Sequence, residues 1–447
     1  MPGHGGRGGL IIAAPSSGSG KTVLTLGLLR HLARDGRSVA SAKAGPDYID
    51  PSFHAAATGG LCLNLDPWGM RRATLEALAA RLEGGAELVL CEGVMGLFDG
   101  AGLAGEGATA DLAALTGWPV ILVVDAGGQA GSAAAVIRGF AAHRADVPLA
   151  GIIFNRVGGE RHRAMLGEAL SRALPDLPIL GMVRRAAALA LPERHLGLVP
   201  AGEHAALAAF LDAAADHVAA AVDVAALLGL ARPSRLPQPA AAPQPIPPLG
   251  QRIAVARDDA FLFLYPAMLE GWRAAGAEIA FFAPLADAAP DAAADAVFLP
   301  GGYPELHAGR LAANAAFRDG LSRAAGRGAT IYGECGGYMA LGEALIDAAG
   351  MRHTMAGLLP LVTSFAERRL HLGYRRLALL ADAPLGRAGA AFRGHEFHYA
   401  MITEEGDAAP LFTTADADGA TRGPVGLRRD AVMGSFLHLI DRADGAT

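Results

Sequence analysis

The sequence predicts an α/β protein of two domains, each organised around a parallel sheet, and three observations carry that expectation. Short continuous apolar runs alternate with helical patterns in both halves of the chain. A glycine-rich loop ending in Lys-Thr joins the first of those runs to the first helical pattern. Between the halves lies RPSRLPQPAAAPQPIPPLG, residues 232–250, in which proline recurs too often for a helix or a central strand.

By composition that stretch is an extended, semi-rigid linker. It divides the chain into residues 1–231 and 251–447, both of domain size. In the first half, LIIAA at 10–14, SVASA at 38–42, AELVLC at 86–91, PVILVV at 119–124 and LAGIIF at 149–154 read as buried strands with helices between them. In the second, RIAVA at 252–256, EIAFF at 278–282, AVFL at 296–299 and TIYG at 330–333 continue the same logic. Alanine runs such as AALAAFLDAAADHVAAAV are good helix formers rather than disordered tracts.

Composition narrows the class. The 447 residues are 52% hydrophobic and carry a formal net charge of −6. That allows sizeable cores and gives no general attraction to nucleic acid or anionic membrane. The three cysteines, Cys62, Cys91 and Cys335, are far apart and form no CxxC pair, so neither a disulfide framework nor a zinc ribbon fits. The segment MPGHGGRGGLIIAAP has too short an apolar run for a signal peptide, and no stretch reaches the length of a bilayer span. The expectation is a cytoplasmic enzyme with no nucleic-acid or membrane partner.

The first strand runs into Pro15-Ser16-Ser17-Gly18-Ser19-Gly20-Lys21-Thr22. A phosphate-binding loop needs small residues whose backbone N–H groups can wrap an anion, a lysine for the outer phosphates and a hydroxyl for magnesium. Gly18, Ser19, Gly20, Lys21 and Thr22 supply these parts. The strict pattern has glycine where this chain has Pro15, which argues against an ordinary motor or GTPase loop. Lys43 closes the second strand beside the same site, ahead of Ala44-Gly45-Pro46-Asp47-Tyr48-Ile49-Asp50-Pro51. Glu92 closes the next strand in CEGVMGLFDG, a segment that also holds Asp99. Strand C-termini are where doubly wound sheets place ligands, so Asp47, Asp50, Glu92 and Asp99, with Tyr48, form the candidate carboxylate-activation site. Thr22, Asp47 and Glu92 are the candidate magnesium ligands. Asn155 ends a later strand and is either a partner for the adenine edge or a helix cap.

In the second half, Gly333-Glu334-Cys335-Gly336-Gly337 stands between the strand TIY and the helical pattern YMALGEAL. This is the thiol counterpart of the G-x-S-x-G nucleophile elbow. The N–H of Gly336 can stabilise an oxyanion, and a second donor is available from PGGYPE through Gly302. His438, in GSFLH, is the candidate base. The spacing His395-Glu396-Phe397-His398 is H-E-x-H rather than the H-E-x-x-H of a zinc helix; a metal reading is rejected, and a structural or glutamine-site role is left open.

These motifs together resemble the cobyrinic/hydrogenobyrinic acid a,c-diamide synthases of corrin biosynthesis. The carriers are SSGSGKT, KAGPDYIDPSFH, NLDPW, CEGVMGLFDG, PERHLGL, PGGYPE, GECGGYMAL, GHEFHY and GSFLH, in order along nearly the whole chain. The resemblance implies a dethiobiotin-synthetase-like P-loop domain, a class I glutamine amidotransferase domain, and ATP- and glutamine-dependent amidation of two acetate side chains of a tetrapyrrole. It also implies Cys335 as nucleophile, His438 as its base, and Asp47 and Glu92 at the ATP and carboxylate site. It leaves a homodimer open. The wider class has a glutamate two positions after the histidine; Ile440 stands there in this chain, so what orients His438 is not given. NLDPW resembles enzymes of the aerobic pathway and favours metal-free hydrogenobyrinic acid over cobyrinic acid. A nickel-sirohydrochlorin a,c-diamide synthase is the alternative, while chain order and motifs set cobyric acid synthase apart. A MinD-like partition ATPase is the reading from another class. The terminal amidotransferase pattern and the lack of a basic amphipathic C-terminal helix count against it.

Overall fold

The computed structural model describes residues 8–186, 189, 191–194, 197–239 and 244–444. The first seven residues, His195 and Leu196 of PERHLGL, and residues 240–243 of the proline-rich stretch lie outside the described residues. The chain divides into two compact units, residues 1–68 with 72–241 and residues 69–71 with 242–447. The division falls inside the expected linker, but that segment does not stand free of its units. Gly9 and Arg232 exchange backbone hydrogen bonds of 2.8 and 3.3 Å, and Arg235 N donates to Thr116 O at 2.7 Å. In the second unit Trp272 Nε1 donates to Pro247 O at 3.1 Å. The apolar side chains of Leu236, Ile246 and Leu249 are buried, which explains why a proline-rich stretch is tied down.

The first unit is a sheet of β1 (Gly8–Ala13), β2 (Val39–Ala44), β3 (Cys62–Leu65), β4 (Leu88–Glu92), β5 (Val120–Asp125), β6 (Leu149–Val157) and β7 (Ile179–Arg184). The order is β3-β2-β4-β1-β5-β6-β7, and each neighbouring pair is parallel. Strands covered on both faces must be apolar throughout, and Leu10, Ile11 and Ile12 are fully buried. The two edge strands were not expected. β3 is four residues long and holds Asn64, and β7 follows a loop with Pro175 and Pro178, so neither shows a clean apolar run. Gly9 is required inside β1 because a side chain there would meet the Trp118 ring at 2.3 Å. Helix α1 (Lys21–Arg34) packs on the helix Leu207–Ala219. Gly27 permits this approach, since a methyl in its place would lie 2.7 Å from Ala214 O. A short antiparallel pair, β8 (Glu193–Arg194) and β9 (Gly197–Leu198), completes the strands of this unit.

The second unit begins as expected, with β10 (Arg252–Ala256), β11 (Glu278–Phe282), β12 (Ala296–Leu299) and β13 (Thr330–Glu334). The rest corrects the expectation of a parallel sheet flanked by helices. After residue 343 the described chain is almost wholly β: β14 (Ala344–Ile346), β15 (Arg352–Thr354), β16 (Leu361–Ser364), β17 (His371–Leu379), β18 (Ala391–His398), β19 (Met401–Glu405), β20 (Ala409–Asp416), β21 (Thr421–Arg429), β22 (Val432–Ser435) and β23 (Leu437–Arg442). The main sheet runs β11-β10-β12-β13-β22-β21-β20-β17-β18-β23. It is parallel as far as β22 and antiparallel beyond it. A second sheet has the order β15-β14-β16-β19. Strands such as β17, HLGYRRLAL, mix arginine and histidine with apolar residues because much of their surface faces solvent or a cavity. A search for continuous apolar runs passes over them.

The helix after Cys335 (Gly336–Leu341) is shorter than the pattern YMALGEAL implied, since Ala344–Ile346 is strand. It lies so close to the sheet that a side chain on Gly337 would approach Leu299 O to 1.9 Å. Gly337→Ala is therefore expected to destabilise the protein by about 2 kcal/mol or more. A thermal melt unchanged from wild type would show that this packing relaxes at no cost.

Candidate active site

At the C-terminal end of β1 the chain turns through two left-handed glycines, Gly18 (φ 76°) and Gly20 (φ 88°), into α1. At Gly18 only the backbone conformation demands glycine; at Gly20 a side chain would also meet Asn155 Nδ2 at 2.2 Å. Ser19 Oγ donates to Ser16 O at 2.9 Å. Lys21 Nζ donates to Met95 O at 2.6 Å, and Thr22 Oγ1 donates to Glu92 Oε1 at 2.6 Å. Burial pushes the Lys21 ammonium down to about 8, against the pull of Glu92. Asn155 Nδ2 donates to Ser19 O at 2.9 Å and its Oδ1 accepts from Arg156 N at 2.9 Å. Its side chain thus buttresses the loop backbone, while Gly20, Asn155, Arg184, Arg185 and His217 line a small cavity beside it.

Glu92, at the end of β4, is the hub of a buried charge cluster. Its Oε1 also accepts from Lys43 Nζ at 3.0 Å, and its Oε2 lies 2.7 Å from His54 Nε2. Lys43 Nζ donates in turn to Asp50 Oδ2 at 2.5 Å. Burial raises the Glu92 pKa, but Lys43, His54 and Thr22 outweigh it and hold the group well below the usual carboxylate range. Burial and the neighbouring Asp47 push Asp50 the other way, to about 7. The Lys43 ammonium, disfavoured by burial, is held well above its ordinary value by Asp50 and Glu92. Asp47 Oδ1 accepts the N–H groups of Ile49 and Asp50 at 2.8 and 3.0 Å, holding the turn that leads into the helix Asp50–Thr58. Asp99 Oδ2 accepts from Gly96 N at 2.9 Å, and its charge is felt at Lys21. Tyr48 is buried in the same loop. Of the expected acids, Glu92 reaches the phosphate loop through Thr22, Asp50 joins it through Lys43, and Asp99 acts on Lys21, while Asp47 stays with the backbone beside Asp50. Thr22 and Glu92 are hard oxygen donors in contact, and that chemistry fits magnesium.

His54 was not singled out from the sequence. It is fully buried, with Nδ1 3.5 Å from Cys62 Sγ. Burial lowers its pKa, and Cys62 and Glu92 raise it by more, to about 10. The usable signal was its place in KAGPDYIDPSFH, where it falls four residues after Asp50 and so one helical turn further on.

In the second unit Cys335 sits between β13 and the following helix with φ 47° and ψ −104°. A non-glycine residue in such a conformation is strained, and strain of this kind collects at functional turns. Cys335 N donates to Ser435 O at 2.8 Å, fixing the turn to the neighbouring strand β22. Gly336 N–H reaches the Cys335 thiol, whose pKa burial pushes well up. A side chain on Gly301 would meet His438 Cε1 at 2.4 Å, His438 Nε2 at 3.1 Å and Cys335 Cβ at 3.2 Å. The imidazole and the thiol-bearing carbon thus meet over a residue that must be glycine. Gly302 N lies 3.0 Å from the position a Gly336 side chain would take, so the two expected oxyanion donors are neighbours. His438 is fully buried, and burial lowers its pKa to about 3.

The H-E-x-H segment lies on β18, where alternation puts Glu396 and His398 on one face and His395 on the other. His371 is the register partner of His398 across β17. The ligand atoms of His371, Glu396 and His398 lie within 4.8 Å of one another, a grouping that sequence spacing did not suggest. Arg375 Nη2 already pairs with Glu396 Oε2 at 2.6 Å, so the carboxylate is charge-compensated by the protein. These residues line a cavity of about 570 Å³ with Tyr338 and Phe436.

Comparison with known proteins agrees with this geometry. Residues 10–199 match the CobQ/CobB/MinD/ParA nucleotide binding domain, and residues 252–445 match the CobB/CobQ-like glutamine amidotransferase domain. A nucleotide-binding domain followed by an amidotransferase domain defines a glutamine-hydrolysing carbon–nitrogen ligase. The amidotransferase match distinguishes the chain from the partition ATPases that share its first domain. Over 438 residues it is 57% identical to hydrogenobyrinate a,c-diamide synthase of Sinorhizobium sp., covering 98% of this chain and 100% of that one. It is 55% identical to the proteins of that name from Brucella suis biovar 1 (97% of this chain, 98% of that one) and Rhodobacter capsulatus (97% and 99%). The chain belongs to the hydrogenobyrinate a,c-diamide synthase family. Among the described residues no helix is long and apolar enough to cross a membrane.

Proposed function

We propose that this protein amidates the a and c acetate carboxylates of hydrogenobyrinic acid in cobalamin biosynthesis, with ATP and glutamine as co-substrates. The observation that carries the choice of substrate is identity of 55–57% over almost the whole chain to proteins named hydrogenobyrinate a,c-diamide synthase.

The chemistry follows from the two sites. In the second unit Cys335 Sγ attacks the glutamine side-chain carbonyl while its proton passes to His438 Nε2 and on to the departing ammonia. Water then releases glutamate from the thioester. The N–H groups of Gly302 and Gly336 hold the oxyanion. Arg375 and Glu396, facing the cavity beside this site, have the charges to receive the carboxylate and ammonium of an amino acid. In the first unit a substrate carboxylate oxygen attacks the γ-phosphorus of ATP and ADP leaves. Ammonia then attacks the acyl phosphate, and phosphate leaves with the original oxygen. Gly18, Ser19 and Gly20 wrap the phosphates, and Lys21 neutralises the one in transfer. Lys43 and Asp50 orient Glu92. Thr22 and Glu92, with Asp47, would hold Mg2+, which supplies charge neutralisation between two anionic reactants.

The test is mass analysis of products after separate incubation with hydrogenobyrinic acid, cobyrinic acid and nickel-sirohydrochlorin. The expected result is a diamide from hydrogenobyrinic acid at the highest rate. A diamide formed only from nickel-sirohydrochlorin would replace this reading with the alternative.

A further inference from the structure

His438 is deeply buried and needs a partner to set its tautomer, yet Ile440, where the wider class has an acid, is an apolar core residue. We propose that Glu334, the residue immediately before Cys335, is the positioning residue that orients and charges His438. The inference rests on the reading of Cys335 and His438 as nucleophile and base.

The geometry comes from the sheet. β13 pairs in parallel with β22, and Glu334 is the register partner of Ser435. The chain then continues into β23, which carries His438. Glu334 Oε1 accepts the Leu439 N–H at 3.1 Å, holding the main chain next to the histidine. Its Oε2 lies 3.7 Å from His438 Nδ1, an ion-pair contact rather than a hydrogen bond. The Nε2 edge of the same ring lies against Gly301, where Cys335 Cβ also packs. The two ring nitrogens are thus divided between Glu334 and the thiol. Accepting the thiol proton at Nε2 requires the hydrogen of neutral His438 to sit on Nδ1, and a carboxylate facing Nδ1 favours that tautomer and stabilises the imidazolium that forms.

Electrostatics make such a partner necessary. His438 is lowered by burial and by the charges of His395, its register partner on β18, and His398. Glu334 is raised by burial to about 8, offset by the Leu439 N–H and the Tyr332 hydroxyl. Neither group is at ease charged alone, while a facing pair offsets both penalties. One residue thus supplies the acid that the rest of the class places two positions after the histidine. A carboxyl that merely anchored β23 would need only an acceptor for Leu439 N–H, and a glutamine would serve equally.

That difference is the test. Glu334→Gln keeps an acceptor oxygen and removes the charge. Steady-state glutamine hydrolysis is measured, together with the pH dependence of Cys335 modification by the diazoketone glutamine analogue 6-diazo-5-oxonorleucine, located by peptide mass. The expected result is a fall in kcat of at least about tenfold, since one pKa unit of lost imidazolium stability is a factor of ten. KM should hold within about twofold, the pH profile of modification should shift, and Glu334→Asp should recover part of the loss. Wild-type kcat and pH profile in Glu334→Gln, with Cys335→Ser inactive, would overturn this inference alone. Glutamine hydrolysis surviving in Cys335→Ser would instead overturn the reading beneath it. Should Glu334→Gln fail to fold, Glu334→Asp decides: a wild-type pH profile with reduced kcat supports the pairing, and kcat unchanged despite the shorter reach overturns it.

Discussion

Cys335→Ser is expected to abolish glutamine-dependent amidation while leaving synthesis from free ammonia largely intact. The thiol lies at a strained turn with φ 47°, against the Gly336 N–H and beside His438. A serine would fit the space, because the two side chains differ by one atom. Its hydroxyl is a far weaker nucleophile, and burial already pushes the native thiol up, so His438 would have to remove a still less acidic proton. The amidotransferase and nucleotide-binding domains belong to different units of the chain, so ammonia added directly is expected to bypass the loss. The measurement is diamide formation by mass with each nitrogen source. Wild-type turnover with glutamine in this variant would remove Cys335 from the mechanism.

Glu92→Gln is expected to lower amidation by at least about a hundredfold with ammonia as the nitrogen source, a loss of roughly 3 kcal/mol. The wild-type carboxylate is inaccessible to solvent and answers three donors, Thr22, Lys43 and His54. An amide has one acceptor oxygen, so its NH2 must face one of these groups, and the charge that balances Lys43 and would hold the metal is gone. Asp47→Asn should act in the same direction by charge alone, because the amide oxygen can still accept the Ile49 and Asp50 N–H groups. Glutamine hydrolysis, measured in the same preparations, should change much less and reports that the protein has folded. On the proposed function, in which two acetates share one activating site, partial loss should also release monoamide. Full diamide formation by both variants would reduce these acids to a structural role.

Much of this site was legible in the chain. The phosphate loop, the Lys-Thr pair, the strand-end acids and the cysteine elbow are local patterns, each set by short-range requirements of backbone and charge. They appear within about ten residues of sequence, and the structure puts Thr22 against Glu92 and Cys335 beside His438. The four strands RIAVA, EIAFF, AVFL and TIYG fall where β10 to β13 lie: β10, β12 and β13 are buried and so must be continuously apolar, while β11 is an edge strand whose residues are mostly exposed.

The amino-acid sequence by itself determined the two-domain order, the parallel sheet of the first unit, the identity of the nucleophile and base candidates, and the family. Tertiary structure alone decided what depends on residues far apart in sequence. It turned the end of the second unit into an antiparallel extension, because strands with one wet face carry no continuous apolar signal. It set His54 against Glu92, thirty-eight residues away, and gathered His371 with Glu396 and His398 across two strands. It also brought Glu334 to His438 across 104 residues. That last contact exists only because β13 and β22 pair in parallel and the chain turns directly into β23. Sequence spacing records periodicity within an element, whereas the partner of a buried charge is chosen by which strands the sheet places side by side.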